Sequence, residues 1–203
     1  MELKFTKNKI SFDKELNNLD KLVIKFTKIL NKQKTEYVII SGYVAILFGR
    51  SRNTEDVDLF IEDKGFSEFE KLWVEIYKAG FDCINGIEAK EAYYDFMKEK
   101  SAIRFAQKGE EIPNFELKFP QTKDNIYSMS HKLLVELNTE KLMISEIELQ
   151  IAFKLYLGSD KDYEDARHLY KVFKEHLDNK LLKDHVKELN VEKKAEEILW
   201  KKV

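Results

Sequence analysis

One stretch, Tyr37 to Glu62 (YVIISGYVAILFGRSRNTEDVDLFIE), limits the possible folds more than any other part of the chain. Tyr37-Val38-Ile39-Ile40 is β-branched and aromatic, too short for a helix of its own, and ends at Ser41-Gly42, a pair suited to a tight strand-to-helix turn. Ser41 can also cap the short helix predicted over 43–48, which Gly49 ends before a polar loop at 50–55. Val57, Leu59 and Ile61 then alternate with Asp56, Asp58 and Phe60, which predicts a second strand. Side chains on a strand repeat with period two, so Asp56 and Asp58 share a face, about 7 Å apart along the backbone.

Two carboxylates so placed repel each other unless a cation sits between them. Mg²⁺ suits the pair, because it takes carboxylate oxygens and completes its shell with water and substrate phosphates. The turn at Ser41-Gly42 supplies a dock for such a phosphate, since backbone N–H groups at a helix start attract anions and glycine permits close approach. An acid-x-acid pair at a strand end can also be no more than a solvated edge.

Ser41-Gly42, then thirteen residues, then Asp56-Val57-Asp58 resembles the signature of the DNA polymerase beta-like nucleotidyltransferase superfamily. Arg52-Asn53-Thr54-Glu55-Asp56-Val57-Asp58 is similar to the Arg-x-Thr-x-Asp-x-Asp run of its minimal, toxin-like branch, found in toxin–antitoxin and abortive-infection systems. That branch usually carries Gly-Gly or Gly-Ser at the turn, where this chain has Ser41-Gly42. A second likeness lies far from the first. Lys154-Leu155 on an apolar helix, followed by Lys161-Asp162-Tyr163-Glu164-Asp165 at a helix start, resembles the Lys-Leu and Lys-Asp-x-x-Asp elements of the same branch.

The resemblance implies an α/β (α+β) nucleotidyltransferase fold: a mixed sheet flanked by helices over 1–144, then a helical region over 145–203 that closes the cleft. It implies that Asp56, Asp58 and a third carboxylate hold two Mg²⁺ ions. Glu116 matches best, because it lies opposite Phe115 and Leu117 on a later strand; Glu62 and Asp63 are substitutes. Ser41 and Gly42 would cradle phosphates, with Arg52, Thr54, Lys154 and Asp162 at the nucleotide. The substrate would be a nucleoside triphosphate and the acceptor a hydroxyl on tRNA, protein or a small molecule, with an antitoxin protein as a further partner. A non-catalytic nucleotide- or protein-binding module of a two-component pair is the alternative, and a DNA-binding regulator acting through the C-terminal helices is a third.

The remaining signals place these residues on elements. Apolar spacing predicts helices over 11–32, 66–78 and 88–99, short strands over 81–87, 101–106, 114–119, 132–137 and 141–144, and a loop with a helical turn over 121–130. Ser145-Glu146-Ile147-Glu148 has the form of a capping box opening a helix through Leu157, and further helices follow Gly158-Ser159-Asp160. At 203 residues and 43% hydrophobic, with nine Tyr, fourteen Phe and two Trp, the chain can bury a core of its own. Its formal charge of −2 gives no global field to recruit nucleic acid. The four histidines have no ligand spacing with one another or with Cys83. A lone cysteine, a first segment without an apolar leader core and no long apolar run lead to the expectation of a cytoplasmic protein with no membrane span.

Overall fold

The structure, a computed structural model, describes residues 2–6 and 8–201; Met1, Lys7, Lys202 and Val203, which fall in the terminal segments read above, lie outside the described residues. Among those described, nine strands form one mixed sheet. They are β1 (Lys4–Thr6), β2 (Lys9–Phe12), β3 (Tyr37–Ile40), β4 (Asp56–Ile61), β5 (Phe81–Cys83), β6 (Ile103–Gln107), β7 (Asn114–Lys118), β8 (Lys132–Leu137) and β9 (Glu140–Ser145). Their order across the sheet is β1-β2-β8-β9-β3-β4-β7-β6-β5, with β2–β8, β3–β9 and β4–β7 parallel and the remaining pairs antiparallel.

Period two sorts the central strands into a core face and a polar face. Val57, Leu59 and Ile61 of β4 and Phe115 and Leu117 of β7 are buried on one side. There α1 (Asn18–Lys32) lays Phe26 flat on Phe115, ring centroids 4.0 Å apart, and α3 (Phe66–Lys78) sets Trp73 edge-on to Phe105 at 5.0 Å. Each such side chain, fully buried, contributes roughly 1.5–3 kcal/mol. The opposite side of the same strands carries Asp56, Asp58, Glu116 and Lys118.

Local sequence and long-range pairing disagree at several places. The helix expected from Ser11 begins only at Asn18, because Ile10 and Phe12 turn inward with period two and pair β2 with β8. Its cap is Asn17, whose side chain accepts from the Asp20 backbone N–H at 2.8 Å while Asp20 accepts from that of Asn17 at 3.0 Å. Buried Asp20 also takes the Tyr43 hydroxyl at 2.9 Å, which ties α1 to α2 (Gly42–Leu47). The strand expected over 81–87 stops at Cys83. The helix expected over 88–99 is a single α-turn, α4 (Ala89–Glu91), widening into a π-turn at Ala92–Met97. The expected loop after Pro120 is a true helix, α5 (Lys123–Ser130), capped by Thr122.

The C-terminal part is helical as expected: α6 (Ile147–Leu157), α7 (Asp160–Phe173), α8 (Asn179–Glu188) and the short α9 (Glu192–Ala195), which runs into a π-turn at Glu196–Trp200. Gly158, at φ 77°, takes the left-handed cap that ends α6, and the Ser159 hydroxyl accepts from the Asp162 N–H to open α7. The capping box expected at Ser145 does not form. Ser145 is the last residue of β9 and buried, Glu146 occupies the cap position without a side-chain cap bond, and Glu148 instead accepts from the Asp178 N–H at 2.7 Å.

Candidate active site

Register assembles the carboxylates. In the parallel β4–β7 pair Asp56 lies opposite Asn114 and Asp58 opposite Glu116, while antiparallel β3 puts Ile40, the last residue before the glycine turn, beside Asp58. Asp56, Asp58 and Glu116 therefore share one face at one end of the sheet, next to that turn. Neither aspartate forms an ion pair among the described residues. Burial first, then the facing Asp56 and Glu116 carboxylates, push the Asp58 carboxyl up to about 6 from its ordinary 3.8, while Lys118 and a hydrogen bond with Ser41 pull the other way. Thr54 fixes the first of the pair, its hydroxyl donating to the Asp56 carbonyl at 2.9 Å and carboxylate at 3.2 Å.

Glu116 stands where expected, but in company that sequence reading missed. Arg104, facing it from β6, donates from Nη2 at 2.7 Å and Nε at 2.9 Å to one carboxylate oxygen, and Lys118 holds the other. Burial alone would raise this carboxyl; the lysine and arginine outweigh it and hold it below the ordinary glutamate value. Arg104 lies twelve residues upstream, and only cross-strand pairing brings it here.

The turn is tighter than a generic strand-to-helix corner. Ser41 adopts φ 63°, ψ −132°, a region a non-glycine residue occupies at a cost of about 1–3 kcal/mol. This is the position where the resembled branch usually has glycine. Ser41 makes no side-chain cap bond, and its backbone N–H donates to Gln150 of α6 at 3.0 Å. Against Gly42 lies the Arg52 guanidinium: a Cβ at residue 42 would stand 2.4 Å from Arg52 Nη2 and 3.5 Å from Thr54 Oγ1.

Arg52 is held from behind. Its Nε and Nη2 donate to the two oxygens of Asp165 at 3.0 and 2.9 Å, and its Nη1 donates to the Asn53 carbonyl at 2.9 Å. The same Asp165 accepts the Lys154 ammonium at 3.1 Å, and Lys154 also donates to Asp162 at 2.7 Å. Lys154 is 2% exposed, so its charge goes to these two carboxylates, and it reaches no phosphate without leaving them. Burial would raise Asp162, but Lys154 and Ser159 hold it below its ordinary value. Ser41, Gly42, Arg52, Thr54, Asp56, Asp58 and Glu116 thus gather around one corner, with Lys154 and Asp162 beneath it.

An oxygen-only pair of aspartates without a cationic partner fits a hard divalent cation. Among the described residues no three His, Cys, Asp or Glu side chains stand together as a ready ligand set, and Glu116 is engaged by Arg104 and Lys118. A separate cleft of about 410 Å³ opens between β1, β8 and α6–α8, lined by Phe5, His131, Glu146, Glu148 and His176, and contains none of the carboxylate row. No described helix is long and apolar enough to cross a membrane.

No protein-family model and no curated protein matches this sequence. Solved structures do. An antigenic nucleotidyltransferase-like protein from Paracoccidioides brasiliensis superimposes with a TM-score of 0.53 at 16% identity, over 90% of this chain and 93% of that one. ANT(2")-Ia in complex with adenylyl-2"-tobramycin gives 0.55 at 11% identity, over 86% of this chain and 98% of that one. The solution structure of the antibiotic-resistance factor ANT(2'')-Ia gives 0.54 at 13%, over 87% and 94%. At these identities the likeness establishes the fold, which is nucleotidyltransferase-like.

Proposed function

We propose that this chain is a Mg²⁺-dependent nucleotidyltransferase that moves a nucleoside monophosphate from a triphosphate to an acceptor hydroxyl and releases pyrophosphate. One observation carries the reading: Asp56, Asp58 and Glu116 stand in adjacent register on one sheet face, beside a glycine turn with a guanidinium packed on it. The electrostatic state of Asp58 supports it, since a buried carboxylate crowded by two others is unfavourable until a cation relieves it.

In this reading Asp56 and Asp58 are the principal ligands, and Glu116 joins them by exchanging Lys118 for the metal; the resembled family uses two ions. Bound there, Mg²⁺ would supply Lewis acidity at the transferred phosphorus and lower the pKa of the acceptor hydroxyl. Thr54 orients Asp56 by its two hydrogen bonds. Arg52 meets the triphosphate from the turn and offsets charge that grows there in the transition state. Lys154 and Asp162 act one layer back, through the contacts that fix Arg52.

A small-molecule hydroxyl is the acceptor we put first, because a protein of this fold has been solved with adenylyl-2"-tobramycin. A toxin-like role, with tRNA or a protein as acceptor and an antitoxin as partner, is the second reading. It draws on the Arg52-x-Thr54-x-Asp56-x-Asp58 run and on Lys154 and Asp162, which the fold brings to one ion-pair network with Arg52.

The test is transfer of label from each α-labelled nucleoside triphosphate, with Mg²⁺, to three acceptors offered separately: total RNA, total protein and a panel of aminoglycosides. The native chain is compared with a variant carrying Asp56→Ala and Asp58→Ala. Label on a small molecule that vanishes in the variant is the expected result, and label on RNA or protein would favour the toxin-like role. Label that persists in the variant would overturn the assignment.

A further inference from the structure

We infer that Asp165 is a positioning residue of the nucleotide site: from α7 it holds the Arg52 guanidinium against Gly42 and so presents it to the triphosphate. The inference rests on the proposed function and deepens it, because it names the group that turns a loop arginine into a fixed anion receptor.

Asp165 is fully buried, at 0% exposure, and both its oxygens are occupied by cations. Arg52 makes the bidentate fork described above, Lys154 lies 3.1 Å from Oδ2, and Arg50 Nε lies 3.8 Å from Oδ1. Arg50 also pairs with Glu164 at 3.1 Å, and Lys154 with Asp162. Three cations (Arg50, Arg52 and Lys154) therefore meet three anions (Asp162, Glu164 and Asp165), and Arg167 also reaches Glu164 at 3.2 Å. Asp165 is the member that touches Arg50, Arg52 and Lys154.

Geometry then decides what Arg52 can still do. A guanidinium has five N–H groups in a fixed fork. Two go to Asp165 and one to the Asn53 carbonyl, so one N–H on each terminal nitrogen remains. Those two nitrogens are the pair that can grip a phosphate in bidentate fashion. Their placement is fixed from both sides: Asp165 behind, and in front the bare Cα of Gly42, where a methyl group would come within 2.4 Å of Nη2. Without Asp165, Arg52 would be a mobile side chain on a polar loop and would lose entropy on every binding event. Lys154 acts on the same carboxylate and secures it from α6.

The experiment uses the full chain and Mg²⁺-tripolyphosphate as probe, which needs neither a base nor an acceptor. Affinities are measured by calorimetry for the native chain, Asp165→Asn, Arg52→Gln and the double variant, with thermal unfolding of each alongside. Asp165→Asn keeps the shape but not the charge and should weaken binding roughly ten- to hundredfold. In the Arg52→Gln background the same change should cost less than twofold, because the group it positions is gone. Equal losses in both backgrounds would overturn the inference, and so would native-like affinity in Asp165→Asn.

Should Asp165→Asn fail to fold, Arg52→Lys decides instead. It keeps the ion pair and the fold but not the fork, and should lose at least tenfold in affinity, raising KM and lowering kcat together, because Arg52 serves both the bound triphosphate and the charge that grows in the transition state. Unchanged affinity there would also overturn the inference. A native chain that binds tripolyphosphate with this pattern yet releases no pyrophosphate from any nucleotide would refute the proposed transfer and leave the positioning role standing. A native chain that does not bind tripolyphosphate would refute the positioning role.

Discussion

Replacing Asp58 by Asn should make the protein more stable while it removes the proposed activity. Its carboxyl sits at about 6 in the folded chain against an ordinary 3.8, so at neutral pH the folded state carries a charge it disfavours by roughly two pH units, or ~3 kcal/mol. The sign follows from proton linkage. Between the two values the folded chain still binds the proton that the unfolded chain has released, so stability falls as pH rises through that window, and the full cost is present above pH 6. An amide of the same shape cannot ionise and can still accept from Ser41. In chelator at pH 7.5, Asp58→Asn should therefore unfold ~6–10 °C above the native chain. The advantage should shrink through pH 5 and vanish near pH 4, where both side chains are neutral. Saturating Mg²⁺ should raise the native midpoint and leave the variant unmoved. A variant no more stable than the native chain at pH 7.5, or one whose advantage persists at pH 4, would refute the electrostatic picture of the site.

Three further outcomes follow from the same geometry. Gly42→Ala places a methyl group 2.4 Å from Arg52 Nη2 and should weaken Mg²⁺-tripolyphosphate binding about tenfold, read by calorimetry, as the guanidinium gives way. Lys154→Met leaves Asp162 and Asp165 with one cation fewer in a buried setting and should cost about 3–5 kcal/mol in urea unfolding. Ser41→Gly relieves the positive φ and should raise urea stability by ~1 kcal/mol, net of the lost Asp58 contact; a destabilised variant would show that Ser41 is not strained.

The sequence made the placement of the candidate carboxylates and of the turn legible because that part is governed by short-range rules. Alternation marked β4 and β7 and put Asp56, Asp58 and Glu116 on their polar faces, and Ser41-Gly42 marked the turn. The partners of those residues obey tertiary rules. Arg104 meets Glu116 through antiparallel pairing across β6 and β7, and Asp165 meets Arg52 because α7 lies against the loop between α2 and β4. Lys154 was expected at the phosphates, yet the burial of α6 gives its charge to two carboxylates. The helix misread from Ser11 and the capping box misread at Ser145 have one cause: both segments are outcompeted by sheet pairing, in β2 and β9. Ser41 carried its signal in plain view, as a serine where the resembled branch has glycine, but its positive φ is visible only in the folded backbone.

The most direct measurement is pyrophosphate release from each of the four nucleoside triphosphates with Mg²⁺ and a mixed acceptor pool, for the native chain beside Asp58→Asn. The account predicts release by the native chain that stops when the metal is chelated, and none from the stable, folded variant. Release by Asp58→Asn at the native rate would contradict it.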